Sequence, residues 1–441
     1  MWDFLLFEII RWGINVKKKI MAMVIIALTA ASAAVVFMSS GEEAVNKTEE
    51  YMCTIKRESV QESDKDIPVI NIECVCEVGR DEYVQAHIAT SDQIINEDMK
   101  IKVRGHTTAY GKKVPYNIKF DSKKNMFGMG SSKKWCLVAN MYDPSQMRNK
   151  LALDFAANLG MDYVSKCEYA ELYYNGEYRG IYLLCTPVNV GKDKVDINIE
   201  NGDSLLQLVP YESYTDKNVI KTGAGVFLAI EESEKNPEEI KNFLDEFEKS
   251  IALGFENMKK YADIESFVDY YVMNELFKDV DFATSSGFFY IKNGKLYAGP
   301  VWDYDYSSGN VDSQVHAGYY SDGDVNGTGG IYCQKFWFSF LMQNEEFRSM
   351  VTARYEEIQP LIENLYMDNE LGKNRIDDLI DKYEKCYEKN NNLWNPVEKY
   401  SPGQCMPSGE FKENVENLRM WFMERNEWLE KYWNIGEVVD E

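Results

Sequence analysis

The apolar residues of this chain change their period part-way along it, and that change limits the possible folds more than any other feature. Between residues 67 and 184 they come in short runs bounded by turn residues, at 69–74, 100–103, 116–120 and 135–138. Runs of that length and content predict strands. Residues 170–174 and 178–184 flank Asn175-Gly176, a dipeptide that favours positive φ and so predicts a hairpin. One helix is expected from Ser145 to about Leu159, with Asp143 or Ser145 as its cap and Gly160 as its stop. After residue 238 the spacing becomes helical, over 238–253 and 263–277 and again from about Gln334 to Trp433. A hairpin around Asn293-Gly294 interrupts these helices. It is followed by a Gly-, Ser- and Asp-rich stretch, 306–330, that predicts a long loop.

The order is therefore α+β: a β-rich part with one helix, then a mainly helical part. A cleft between two such lobes is the natural place for a ligand. Residues 67–435 are read as one folded domain, preceded by a polar linker at 39–66. Residues 20–38 form an uncharged apolar run long enough to cross a hydrocarbon core. Lys17, Lys18 and Lys19 precede it, and Glu42 and Glu43 follow. That asymmetry predicts a single-pass transmembrane helix with residues 1–19 cytoplasmic and the domain membrane-anchored and extracytoplasmic. The rival is a secretory signal cut near Ala31-Ser32-Ala33, with the domain secreted.

A formal net charge of -24 argues against a nucleic-acid partner and fits a basic partner or plain solubility. The nine cysteines are odd in number and scattered, with no CxxC pair, which reads as free thiols. The three histidines are far apart and form no HExxH, so a catalytic zinc is not expected.

Function concentrates near residue 300. An apolar stretch from Lys295 to Val301 runs into Asp303 and Asp305, and the long loop follows. Carboxylates at a strand end, opening on a loop, are a common way to present a metal to phosphate. Two acids that close in sequence do not by themselves make a glycosidase pair, which must flank a bond.

Six runs in order carry a resemblance: Arg104-Gly105-His106-Thr107-Thr108; Lys113-Val114-Pro115-Tyr116-Asn117-Ile118-Lys119-Phe120; Trp135-Cys136-Leu137-Val138-Ala139-Asn140; Asp143-Pro144-Ser145 with Arg148-Asn149; Asn175-Gly176-Glu177-Tyr178-Arg179-Gly180-Ile181-Tyr182; and Gly299 to Asp305 with Gly309-Asn310. Together they resemble the CotH family, named for spore coat protein H, over about residues 67–435. The resemblance implies a divergent bilobal protein-kinase-like fold, with a β-rich N-lobe and a mainly helical C-lobe. It also implies an atypical protein kinase that uses ATP and Mg2+ to modify Ser/Thr of coat or surface proteins. The family also contains surface proteins with adhesive roles, so a non-catalytic coat-assembly or binding role is the alternative.

The resemblance assigns roles to residues. Lys119 resembles the strand lysine that binds ATP phosphates. Arg104 opens a phosphate-facing loop, and Arg148 and Asn149 lie on a helix facing the cleft. Asp281 precedes Asp303 as a catalytic-loop carboxylate would and becomes the base, with Asp279 its close competitor. Asp303 and Asp305 become the magnesium ligands, with Asn310 as a further one. If the run stays extended, residues two apart point to one side, and the two acids converge. Two positions depart from the pattern. Ser286 stands where a kinase has a metal-binding Asn, and Cys185-Thr186 stands where relatives carry Glu. The expected acceptor is a Lys-, Arg- and Ser-rich protein.

Overall fold

The computed structural model describes residues 67–105, 108–210, 218–311, 318–394 and 410–435. The segment expected at 20–38 lies outside them. So do the polar linker at 39–66 and most of the family's His106-Thr107 turn.

Seven strands close into a barrel: β1 (Val69–Glu73), β2 (Val84–Thr90), β3 (Asn96–Val103), β4 (Tyr116–Asn125), β5 (Ser131–Val138), β6 (Cys167–Tyr174) and β7 (Glu177–Cys185). The order around it is β1-β2-β3-β4-β5-β7-β6, and a parallel β1–β6 pairing shuts the ring with Val69 opposite Glu171. Strand alternation fills the interior. Ile70, Ile88, Ile101, Ile118, Phe120, Trp135 and Leu172 all point into one apolar cluster. Each such fully buried side chain contributes about 1.5–3 kcal/mol. In the β6–β7 turn, Asn175 (φ 51) and Gly176 (φ 77) both take the left-handed conformation that a two-residue hairpin demands.

Helix α1 (Arg148–Leu159) follows β5 and ends at Gly160, whose φ of 88 only glycine adopts without strain. Beyond the barrel come β8 (Ser204–Leu208), β9 (Val219–Lys221), β10 (Phe227–Ser233), α2 (Pro237–Ala252), α3 (Phe255–Met258), α4 (Ile264–Phe277), β11 (Phe288–Lys292) and β12 (Lys295–Ala298). The last helices are α5 (Phe336–Leu341), α6 (Glu345–Glu357), α7 (Gln359–Glu363), α8 (Arg375–Trp394) and α9 (Phe411–Trp433).

Two expectations need correction. A bilobal kinase-like fold with a β-rich N-lobe and a helical C-lobe is not what these residues build. The first part is a closed barrel, and the β11–β12 hairpin joins β8, β9 and β10 in a five-stranded sheet of order β12-β11-β8-β10-β9. The physical reason lies in the core. The outer barrel residues Cys136, Tyr169, Ile181, Leu183 and Cys185 share one apolar cluster with that sheet and with α1, α2 and α4. The second correction concerns the membrane. Among the described residues no helix is long and apolar enough to cross one. The described residues thus supply no membrane-spanning helix for the expected anchored, extracytoplasmic placement, and the 20–38 segment on which that expectation and its secreted alternative rest lies outside them.

The thiols follow the expectation. The seven cysteines among the described residues are free, and Cys136, Cys185 and Cys333 are buried.

Candidate active site

Local structure first fixes the acid loop. Strand β12 stops at Ala298, and Asp303 has a φ of 69, so the run from Gly299 to Asp305 is not extended. The convergence of Asp303 and Asp305 therefore does not come from a strand's pleat. It comes from the residue between them. Tyr304 is buried, its N–H donates to Asn149 Oδ1 at 2.6 Å, and its hydroxyl donates to Asn274 Oδ1 at 2.8 Å. Helices α1 and α4 thus grip the loop from two sides.

The end of α4 supplies more acids. Lys278 closes the helix in the left-handed region, and Asp279 caps the short turn that follows by accepting from Asp281 N–H. Val280 N–H donates to Tyr306 C=O at 3.1 Å and Ser308 N–H to Phe277 C=O at 2.7 Å. These bonds lay the Asp279–Asp281 segment beside the Asp303–Asp305 segment.

The carboxylates act on one another. Burial pushes the Asp305 carboxyl well above the usual range, and Asp303, Asp143 and Asp281 push it further, against the pull of Arg104. Burial also raises Asp279 strongly, with Asp281 and Asp303 adding to it. Asp281 is raised by burial and by Asp303, and Ser285 and Thr284 oppose the shift through hydrogen bonds. The cation on this side is Arg104. Its guanidinium lies 5.2 Å from the Trp302 ring centroid; burial works against its charge, and Asp303 and Asp305 favour it.

The remaining predicted residues have different placements. Arg148 sits at the start of α1. Its Nη1 donates to Asp143 Oδ1 at 2.6 Å, and its Nε and Nη2 donate to Ser307 C=O and Ser308 C=O, each at 3.0 Å. Its donors thus clamp the segment after Asp305. Asn310 donates to Asp305 C=O at 2.6 Å and Tyr142 C=O at 3.0 Å. Lys119 is exposed on the outer barrel face, its ammonium 5.8 Å from the Tyr83 ring centroid. The structure thus brings Asp281, Asp303, Asp305 and Arg104 together. It makes supports of Arg148, Asn149 and Asn310, and leaves Lys119 on the neighbouring face. Ser286, the departure from the kinase pattern, has its hydroxyl 3.5 Å from Asp303 Oδ2.

Sequence reasoning gave no role in the site to Asp143, Trp302 or Cys136. Asp143 was read only as a helix cap. It does bond the α1 N-terminus, accepting from Arg148 N–H at 2.8 Å, but its charge also reaches Asp305. The Trp302-Asp303 adjacency was the available signal for Trp302. Nothing local marked Cys136. Lys113, in the Lys-Val-Pro run, bonds backbone carbonyls of the barrel. It is fully buried and donates to Ala139 C=O at 2.7 Å and Ile181 C=O at 2.5 Å.

Magnesium takes one or two carboxylates and completes its shell with water and phosphate oxygens. Among the described residues no group of three or more His, Cys, Asp or Glu side chains is arranged to hold a metal by itself. The donor chemistry of Asp303 and Asp305, two oxygen ligands in an acid-rich setting, fits a magnesium that arrives with phosphate.

Comparison with known proteins places the chain in a family. Residues 101–429 match the family described as CotH kinase protein. The chain is also 31% identical over 181 residues to the inner spore coat protein H of Bacillus subtilis (strain 168), a stretch covering 41% of each protein. The match thus spans about two fifths of that relative's length. With three quarters of its length under the family's pattern, including every acid of the loop, this chain belongs to the CotH family.

Proposed function

We propose that this protein is a magnesium-dependent protein kinase that transfers the ATP γ-phosphate to Ser or Thr of a coat or surface protein. One observation carries the reading: Asp281, Asp303 and Asp305 converge beside Arg104, and the raised carboxyls of Asp281 and Asp305 call for a cation. The name of the Bacillus subtilis relative supports a spore coat as the setting.

When bound, magnesium would neutralise phosphate oxygens, and Asp303 and Asp305 are the residues that would hold it. Asp281 accepts the proton of the incoming hydroxyl. The hydroxyl oxygen bonds to the γ-phosphorus, the bond to the β-phosphate oxygen breaks, and ADP departs. Arg104 offers its donor fork to the phosphates, Trp302 and the acids fixing its plane. Asn149 and Arg148 hold the loop that presents the acids. Lys119 approaches the phosphates from the barrel face.

A second reading, a non-catalytic coat-assembly or adhesion protein, has one observation in its favour. The cation acting on Asp305 is Arg104, while Lys119 is exposed beside Tyr83. Full-length protein incubated with γ-labelled ATP, magnesium and a lysine- and serine-rich protein separates the two. The kinase reading expects label on the acceptor, lost in Asp303→Asn. Label that persists unchanged in Asp303→Asn overturns the site assignment. No label, and no magnesium-dependent rise in melting temperature with ATP, leaves the binding reading.

A further inference from the structure

Three lysines stand side by side on the outside of the barrel. Lys100 of β3 is directly opposite Lys119 of β4, and Lys119 is directly opposite Lys134 of β5. Opposed residues on neighbouring strands share a face, so the three side chains form a row running across the sheet. At a strand spacing of about 4.8 Å, the row is about 10 Å long. Like charges in opposed positions repel and destabilise a sheet. Alternation asks only that these positions be polar, not that all three carry the same charge.

More cations surround the row. Lys194 adjoins Lys134; burial first, then Lys134 and Lys123, push its ammonium down to about 8, against Cys136 and Glu232. Lys102 lies 5.1 Å from the centroid of the same Tyr83 ring that Lys119 approaches. Acidic relief is slight. Asp121 reaches Lys100 only at 3.9 Å and is itself exposed, a pair that contributes little. In a chain of net charge -24, this concentration of positive charge runs against the whole.

The row connects to the acid loop through one buried thiol. Cys136 is influenced by Arg104, Lys194 and Lys134, and also by Asp303. The lysines and Asp303 thus both lie within electrostatic reach of the same buried position on β5. A chain of linked phosphates carries negative charge at regular intervals along a line. A single phosphate or a carboxylate does not, and so cannot span the whole row.

We propose that Lys100, Lys119, Lys134 and Lys194 form a binding strip for a condensed phosphate chain, with at least three linked phosphates needed to occupy it. The source is either a nucleoside triphosphate or inorganic polyphosphate. That the bound chain is the tail of a phosphate donor rests on the kinase reading; the strip itself does not.

Calorimetry on the full-length protein with inorganic tripolyphosphate, pyrophosphate and orthophosphate tests the strip. Tripolyphosphate is expected to bind at least about tenfold tighter than pyrophosphate, and its affinity should fall steeply as salt screens the lysines. Lys134→Gln and Lys194→Gln should each weaken it about tenfold. Lys249→Gln, which alters an exposed helix lysine paired with Glu246, should leave it unchanged. Without ligand, Lys134→Gln should melt no lower than the parent, since it removes repulsion. Tripolyphosphate binding no tighter than orthophosphate, or equally tight in Lys134→Gln and Lys194→Gln, overturns the proposal.

Magnesium-free ATP that displaces tripolyphosphate and binds tighter than it would identify a nucleotide as the source, and longer inorganic polyphosphate that binds tighter than ATP would identify polyphosphate. The two proposals fail separately. Lysine-dependent tripolyphosphate binding without any transfer from ATP removes the kinase and keeps the strip. Transfer from ATP together with tripolyphosphate binding that is unchanged in Lys134→Gln and Lys194→Gln removes the strip and keeps the kinase.

Discussion

Asn149 Oδ1 accepts a hydrogen bond from the Tyr304 backbone N–H at 2.6 Å, across 155 residues of sequence, so helix α1 holds the peptide that separates Asp303 from Asp305. Asn149→Ala leaves that buried N–H without a partner. The expected cost is about 1–3 kcal/mol in unfolding free energy, with ATP-dependent transfer lowered about tenfold or more. Asn149→Asp keeps an acceptor and should recover stability better than Ala, while adding charge to a site already rich in it. Denaturant melts and initial rates on the three proteins check this, and equal stability of Ala and wild type would remove the support role.

Asp279 is buried among like charges, with its carboxyl pushed well above the ordinary range by burial and by Asp281. The shape-matched Asp279→Asn keeps the cap on Asp281 N–H and deletes the charge. We expect it to raise stability by about 1–2 kcal/mol at neutral pH. A lower melting temperature than wild type would contradict this.

The same shifts give a pH dependence with a definite sign. A carboxyl whose folded pKa lies above its unfolded value binds protons in the fold that the unfolded chain has released. Its contribution is fully present below the unfolded pKa and is lost as pH rises through the raised folded value. Asp279, Asp281 and Asp305 all shift this way. Without magnesium, stability should therefore fall as pH rises out of the ordinary carboxylate range, and Asp279→Asn should flatten the slope. Saturating magnesium and ATP should flatten it too, because a bound cation favours the ionised carboxylates. A magnesium-free stability that climbs with pH over that window would count against the acid cluster.

Glu275 and Arg425 form an ion pair at 2.7 Å in which both side chains are fully buried. Glu275 accepts the N–H groups of Tyr332 and Cys333 at 2.7 and 2.8 Å, and Arg425 donates to Thr328 C=O and Gly330 C=O at 2.9 and 2.7 Å. Lys278 donates to Tyr319 C=O, Gly327 C=O and Gly329 C=O. Breaking the pair with Arg425→Met strands a buried carboxylate and should cost about 3–5 kcal/mol. Hydrogen exchange at 327–333 should rise with it, whereas unchanged protection there would show that the pair does not hold this segment.

Gly309 has a φ of 78, and a Cβ built on it would meet Trp421 Cδ1 at 2.6 Å. Gly309→Ala therefore meets both a strained backbone and an overpacked ring edge. A loss of about 1–3 kcal/mol is expected in a denaturant melt, and a neutral effect would mean that α9 moves freely away from the loop.

Local signals in the sequence were legible where the physics is local. The hairpin dipeptides Asn175-Gly176 and Asn293-Gly294 take positive φ at all four positions. The helix expected to stop at Gly160 stops there, and the helical spacing over 263–277 is α4, with Asp263 as its cap. The strands β8, β9 and β10 gave no such signal. Ser204–Leu208 is buried almost throughout, so it lacks the alternation that marks a half-exposed strand, and Val219–Lys221 is too short to show a period. Missing them hid the five-stranded sheet and left the second half looking like a helical lobe.

The sequence alone determined the acid pair at Asp303 and Asp305, the lysine in the Tyr116–Phe120 run and the family to which both belong. Those are properties of residue type and short spacing. The tertiary structure decided how the barrel closes, through a parallel pairing of β1 with β6 about a hundred residues away. It also decided that the two acids converge through Tyr304 and not through a strand's pleat, that Arg148 clamps the loop, and that Lys100, Lys119 and Lys134 stand in one row. Each of those depends on register and packing between segments far apart in the chain, which no local pattern encodes.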